Sequence, residues 1–290
     1  MSAAASRRQL HRELHRLRLA ADLTQTAVAR AHEWSPSKVH RIEKGLVSVS
    51  RTDLQALLSF YGVSDPARVD QLLELARVSR KTPREFAGYR DVFTPEMITF
   101  LGYEASASWI GELQLLVVPG LLQTAEYARL LLRDVHGIGA EKLDKFVESR
   151  RERQKIMERA APPQLSFVLD ESVLIRAIGG RATMQEQLAH LRSTAALPDV
   201  TIRILPLSAG AHGGLRGSFV CMRFGSGSDS DVVYVEDRRG DSVEHDAEVT
   251  DVYRTLFHEL EERASSPDEL DDYLDRALDK HEDTTGQNPL

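Results

Sequence analysis

Ser35-Pro36-Ser37-Lys38-Val39-His40-Arg41-Ile42-Glu43-Lys44-Gly45 reads as one short helix with its start and stop signals in place. Ser35 can cap it, Pro36 stands where the first helical N–H has no partner, and Gly45 can take a left-handed closing turn. Val39 and Ile42 are three apart and point inward, which leaves Ser37, Lys38, His40, Arg41 and Lys44 facing out. A second short helix precedes it, with Thr24 as cap, Gln25 to Ala31 as body, and Val28 and Ala29 as small apolar contacts. Two short helices joined by about four residues, the second carrying polar and basic groups, form the pattern of a helix-turn-helix, whose second helix can enter the major groove.

The flanking sequence supports that reading. Arg7 to Ala21 places Leu10, Leu14, Leu17 and Ala21 on one helical face. Ser50 caps a fourth helix with Asp53 at its third position, and Leu54, Leu57, Leu58 and Tyr61 form its inner face. Gly62 ends that helix, and Asp65-Pro66 starts a fifth with Val69, Leu72, Leu73 and Ala76 inward. The expected fold is an all-α, five-helix helix-turn-helix domain over residues 1–80, a linker over 81–95, and a mixed α+β domain over 96–285.

Arg18, Leu23-Thr24-Gln25, Val28-Ala29 and Ser35-x-Ser37-Lys38-Val39-x-Arg41-Ile42-Glu43-x-Gly45 resemble the lambda-repressor-like, xenobiotic-response-element family over residues 7–65. The resemblance implies that Gln25 binds the DNA backbone and braces a base-reading residue, with Ser37, Lys38 and Arg41 in the groove. It also implies an ion pair between Arg18 and Glu43. Where relatives carry glycine between helices, this chain has Asp22 and Glu33. A left-handed non-glycine residue costs roughly 1 kcal/mol, so those turns are expected to be built differently. The candidate DNA-binding residues are Gln25, Ser35, Ser37, Lys38, His40, Arg41, Lys44 and Arg51, with Arg7 and Arg51 serving phosphates.

At 290 residues the length suggests two domains. The lone Cys221 excludes a disulfide framework and a cysteine-based zinc site. No apolar run reaches the roughly 18 residues of a membrane span, and the Arg-rich start lacks an apolar signal core, so a cytoplasmic protein is expected. The net charge of −7 is uneven: residues 1–90 hold 16 basic and 9 acidic side chains, and the remainder carries a balance of −14. A basic head on an acidic body suits a DNA reader whose second half must not bind DNA, although charge that merely solvates each surface gives the same numbers. His11-x-x-x-His15 has chelating spacing, but no third ligand accompanies it, and a solvated helix face is expected.

In the second half, helices are expected near Glu96–Trp109, from Thr124, over Ala140–Arg159, in a turn at Glu171–Arg176, and from a Thr183 cap to Ala196. Leu113–Val118 reads as a buried apolar run. Strands are expected at Leu165–Leu169, Val200–Leu205, Ser218–Phe224 and Val232–Glu236, the last two joined as a hairpin through Gly225–Asp229. Two acidic helices close the chain, about Ala247–Arg263 and Pro267–Lys280, and Gln287–Leu290 is expected to fray. Val118-Pro119-Gly120-Leu121-Leu122-Gln123-Thr124-x-x-Tyr127-Ala128, Arg153-Gln154, Asp170-Glu171, Gln187-Leu188, Val200–Pro206 and Val233-Tyr234-Val235-Glu236 are similar to the WhiJ-like domain of unknown function of actinobacterial regulators. That resemblance covers residues 97–265 and implies transcriptional control beside a small partner protein, without catalysis.

Asp170 and Glu171 are adjacent, so their side chains diverge and make a poor acid–base pair. Ala209–Gly214 lacks the spacing of a phosphate loop or dinucleotide fingerprint, and Cys221 fits buried packing. Weak ligand or partner candidates are His212, on a loop after a strand, and Arg153 with Gln154, which could equally serve a turn and an internal salt bridge. No catalytic residue, metal site or cofactor is expected. The expected function is a sequence-specific DNA-binding transcription regulator with a sensing or partner-binding second domain, binding double-stranded DNA as a homodimer. The alternative is an antitoxin-like protein that holds a small partner and autoregulates through its helix-turn-helix. Residues 241–283 carry 16 acidic against 4 basic side chains, and these helices are expected to meet a basic surface, so that removing residues 266–290 leaves DNA binding by the isolated head intact but changes partner capture or the DNA affinity of the whole chain.

Overall fold

The computed structural model of the protein describes residues 3–45, 47–80, 84–89, 91–225, 231–236 and 242–283. The Ser226–Asp229 part of the expected hairpin loop, the expected fraying at Gln287–Leu290 and residues 81–83 of the expected linker lie outside them. The chain forms two compact units, residues 1–107 with 223–250, and residues 108–222 with 251–290.

The first unit begins with five helices: α1 (Ala3–Ala20), α2 (Gln25–Ala31), α3 (Pro36–Glu43), α4 (Arg51–Phe60) and α5 (Pro66–Ser79). Each helix from α2 to α5 starts on a side chain that accepts a hydrogen bond from the first turn: Thr24 from Ala27 N, Ser35 from Lys38 N, Ser50 from Asp53 N, Asp65 from Ala67 N. Those caps satisfy amides that a helix leaves unpaired and are worth about 1 kcal/mol each. Leu10, Leu14, Val28, Val39, Ile42, Leu54, Leu58 and Leu72 meet in one core, each 2% exposed or less.

Asp22 and Glu33 both adopt left-handed backbone, at φ 53° and 54°. Both turns thus use the left-handed backbone that glycine favours, carried here by non-glycine residues under strain. A 3₁₀ segment (Arg84–Tyr89) and α6 (Pro95–Glu104) follow, and α6 packs on α1. The strands β5 (Val232–Val235) and β6 (Ser242–Glu244) complete the unit as an antiparallel pair, with Tyr234 opposite Val243. The Phe100 and Tyr234 rings lie 4.3 Å apart.

The second unit holds three parallel strands, β1 (Trp109–Gln114), β2 (Gln164–Asp170) and β3 (Val200–Leu205), with Ile110 opposite Leu165 and Phe167 opposite Ile202. Strand β4 (Phe219–Arg223) extends this sheet to the order β3-β2-β1-β4. Helices α7 (Ala125–Asp134) and α8 (Ala140–Gln154) connect β1 to β2, and α9 (Glu171–Ile175) and α10 (Gly180–Ala195) connect β2 to β3. After β4, α11 (Ala247–Arg263) and α12 (Leu270–Asp283) end the described fold.

Three expectations change. Trp109 opens a strand instead of ending a helix, and the apolar run continues into an exposed loop, with Leu116 61% exposed. Thr183 lies inside α10, its hydroxyl donating to the Gly179 carbonyl at 3.2 Å, so it does not cap. The acidic α12 is present as a helix, as expected, and packs closely within its unit. It buries Leu270, Leu274 and Ala277, receives Arg192 on Asp271 and Asp275, and places His281 Nε2 2.8 Å from the Leu174 carbonyl.

Candidate nucleic-acid interface

Helix α3 presents Ser37, His40 and Arg41 to solvent while Val39, Ile42 and Glu43 face the core. Glu43 is the anchor. Arg18 Nε and Nη2 donate to its two oxygens at 2.6 and 3.1 Å, and Gln25 Nε2 donates at 2.8 Å. Arg18 Nη1 also donates to the Leu23 carbonyl at 2.6 Å, so one guanidinium ties α1, the turn before α2, and α3. The expected Arg18–Glu43 pair is present, with both residues 7% exposed. A buried pair of this kind fixes geometry because losing either partner strands a charge.

The remaining candidates divide by what already holds them. Ser35 spends its hydroxyl on the Lys38 amide. Lys38 places its ammonium 3.7 Å from the Trp34 ring centre and 3.1 Å from Asp53 Oδ2. Arg51 is exposed at the first turn of α4. Lys44 forms an ion pair with Glu244, and its carbonyl is 3.1 Å from His245 Nε2. The end of α3 is thus gripped by residues two hundred positions away.

Gly45 makes that grip possible. Its φ is 67°, and a Cβ there would stand 2.7 Å from His11 Cδ2 and 3.2 Å from His245 Nε2. Both imidazoles are buried, their rings 6.5 Å apart. Burial pushes His245 down to about 3, helped by Arg8, Lys44 and Arg7 and opposed by the Lys44 carbonyl. Burial likewise holds His11 well below the usual range, with His245 and Arg7 adding to it, while the Ile42 carbonyl nearby opposes the shift without forming a hydrogen bond.

Two expectations for α1 are corrected here. His11 is a core residue and not part of a solvated face, because Arg7, His11, Leu14 and Arg18 form a second inward stripe beside Leu10 and Leu17. Arg7 is 8% exposed and donates to the Ser79 carbonyl at 2.7 Å, closing α1 on α5 rather than meeting phosphates. Arg8, also buried, lies 3.4 Å from the Phe224 ring centre. The spacing 7, 11, 14, 18 is a signal of that stripe, masked by the polarity of three of the four residues. Glu244 and His245 carry no such signal.

In the second unit, Arg153 and Gln154 brace the Pro119-Gly120 turn. Gln154 Nε2 donates to the Gln123 carbonyl at 2.7 Å, and Arg153 is buried. A Cβ at Gly120 would stand 2.1 Å from Arg150 Nη1 and 3.0 Å from Arg153 Nη1, so both guanidiniums lie close over this glycine. Gln187 exchanges hydrogen bonds with the Thr124 amide and the Leu122 carbonyl, and Gln123 Nε2 donates to the Val118 carbonyl. The run from Val118 to Thr124 is therefore a buried polar knot with a structural task. His212 is half-buried, with Nδ1 lacking a partner, and is held below its usual range by burial and Arg263 against the pull of Asp170. Asp170 and Glu171 diverge as expected, one capping α9 and the other accepting from the Leu207 amide.

Among the described residues no helix is long and apolar enough to cross a membrane, and no group of three or more His, Cys, Asp or Glu could hold a metal. Residues 9–72 match the family described as a helix-turn-helix domain, and residues 97–276 match one described only as a domain of unknown function, DUF5753. Neither a curated protein nor a solved structure matches the chain. With the second match covering more than half of its length, the chain belongs to the DUF5753 family and carries a helix-turn-helix domain ahead of that match.

Proposed function

We propose that the protein is a sequence-specific transcription regulator of the lambda-repressor-like type with a WhiJ-like second half, working on cytoplasmic DNA without a catalytic role. The observation that carries this reading is α3 itself: a helix capped at its start by Ser35, bolted to the core through Glu43, and displaying Ser37, His40 and Arg41. A base-reading helix needs that rigidity, since ordering it on binding would subtract from affinity. In this reading Ser37, Lys38 and Arg41 face base edges, Lys38 after leaving Asp53, while Gln25 and Arg51 face phosphates. A two-fold homodimer would set two such helices about 34 Å apart on a palindromic site.

Footprinting of the purified protein on DNA upstream of its own gene tests this. Arg41→Ala is expected to lose about 1–3 kcal/mol on the protected site and to relax its sequence preference. Arg51→Ala should weaken all DNA alike and shallow the salt slope by about one. No protected site, or an Arg41→Ala protein with its full preference intact, would sink the reading.

A further inference from the structure

The first unit contains a cavity of about 550 Å³ walled by α1, the end of α3 and residues 245–249. Its three carboxylates are already occupied. Glu13 accepts from Arg16 at 2.9 Å and from Arg68, and Glu43 is held by Arg18 and Gln25. Asp246 accepts from the Glu248 and Val249 amides at 3.0 and 3.2 Å. Arg18 and Arg68 reach two of these acids from outside the lining, as Glu244 reaches Lys44, so the lining with these partners holds five cations against four carboxylates, a small positive excess.

Beneath that cationic rim lie the two buried imidazoles. His245 Nε2 faces the Lys44 carbonyl and so carries the proton, which leaves Nδ1 as a bare acceptor without a partner. Neither ring nitrogen of His11 has one. Buried polar atoms left unmatched are destabilising, and such orphans call for an occupant. A volume of this size is that of a small-molecule site.

We propose that this cavity binds a small organic acid bearing a hydroxyl group, its carboxylate among Arg12, Arg16 and Lys44 and its hydroxyl toward the imidazoles. Such an anion competes with Glu244 for the Lys44 ammonium. Occupancy therefore alters the grip on the end of the recognition helix. The binding step stands alone on the cavity; only its consequence for DNA rests on the regulator reading.

Calorimetric titration of the full chain with 4-hydroxybenzoate, at low salt and neutral pH, tests the site without DNA. Saturable binding is expected, weakened about tenfold or more in Lys44→Met and in Arg16→Ala, and equally weak for neutral 4-hydroxybenzamide. Arg16 is largely exposed, so its variant keeps the fold; thermal melting of both variants verifies this. The absence of saturable heat, equal binding of the amide, or undiminished binding by both folded variants overturns the site. Binding of the acid that leaves DNA affinity unchanged overturns the competition for Lys44. A failure to bind any DNA counts against the regulator reading and leaves the titration result standing.

Discussion

Glu43 receives three donors, two from Arg18 and one from Gln25. Glu43→Ala would leave a guanidinium 7% exposed with only the Leu23 carbonyl for company, at a cost on the order of 3 kcal/mol. Urea unfolding followed through Trp34 should show that loss; a change below about 0.5 kcal/mol would mean the pair is solvated in solution. Glu33 is the opposite case, a residue whose replacement should help. Its φ of 54° disfavours any Cβ, and glutamate is not among the short polar side chains, such as aspartate, that tolerate this region by bonding locally. Glu33→Gly is expected to stabilise by about 0.5–1 kcal/mol after the entropy that glycine adds to the unfolded chain. An unchanged or lower unfolding midpoint would refute the strain argument.

Helix α3 is legible in the sequence because its signals are local: a capping serine, a proline at the first position, an apolar pair three apart and a closing glycine. The clasp on its last residue is not legible there. The Lys44–Glu244 pair is partly exposed, with side chains 29% and 23% accessible, so its contribution to stability is small. Under the proposed regulator reading its consequence for DNA is expected to be larger, since it engages a cation at the end of α3 that could otherwise meet phosphate. Glu244→Gln keeps the shape and removes the charge. DNA affinity should rise several-fold at low salt, with a salt slope steeper by about one. Titrations at two salt concentrations decide it, and equal slopes would mean Lys44 never reaches the duplex. Elsewhere the elements that mislead do so for physical reasons. Strand β1 lies between β2 and β4 and is buried on both faces, Glu112 included, so no alternation marks Trp109–Gln114. Thr183 looks like a cap, yet its hydroxyl bonds back one turn inside α10.

At the scale of the molecule, the basic head and acidic remainder are plain from composition, and so is the division into a helical and a mixed half. The first unit, however, is assembled from two stretches of chain, and contacts between residues 200 positions apart leave no local trace. That assembly buries two histidines among cations, and pH should reveal it. The groups facing them are Arg7, Arg8, Lys44 and Tyr103, with Glu244 paired to Lys44 at the edge. His245 falls from an ordinary 6.5 to about 3 in the folded protein, so folding disfavours its protonated form. Its contribution to stability is then complete above pH 6.5 and declines as pH falls toward 3, by about 1.4 kcal/mol per unit. By about pH 5 the loss from His245 alone is about 2 kcal/mol. His11 shifts in the same direction, although protonating one ring makes the other harder to protonate, so the two do not simply add. His245→Asn removes the titration while keeping a donor for the Lys44 carbonyl. With Trp109 replaced by phenylalanine, Trp34 fluorescence reports the first unit by itself. Urea unfolding at about pH 7 and about pH 5 should show the parent losing about 2 kcal/mol more than the variant between the two. Parallel losses would mean that His245 is open to water in solution and that the grip on Gly45 is not formed.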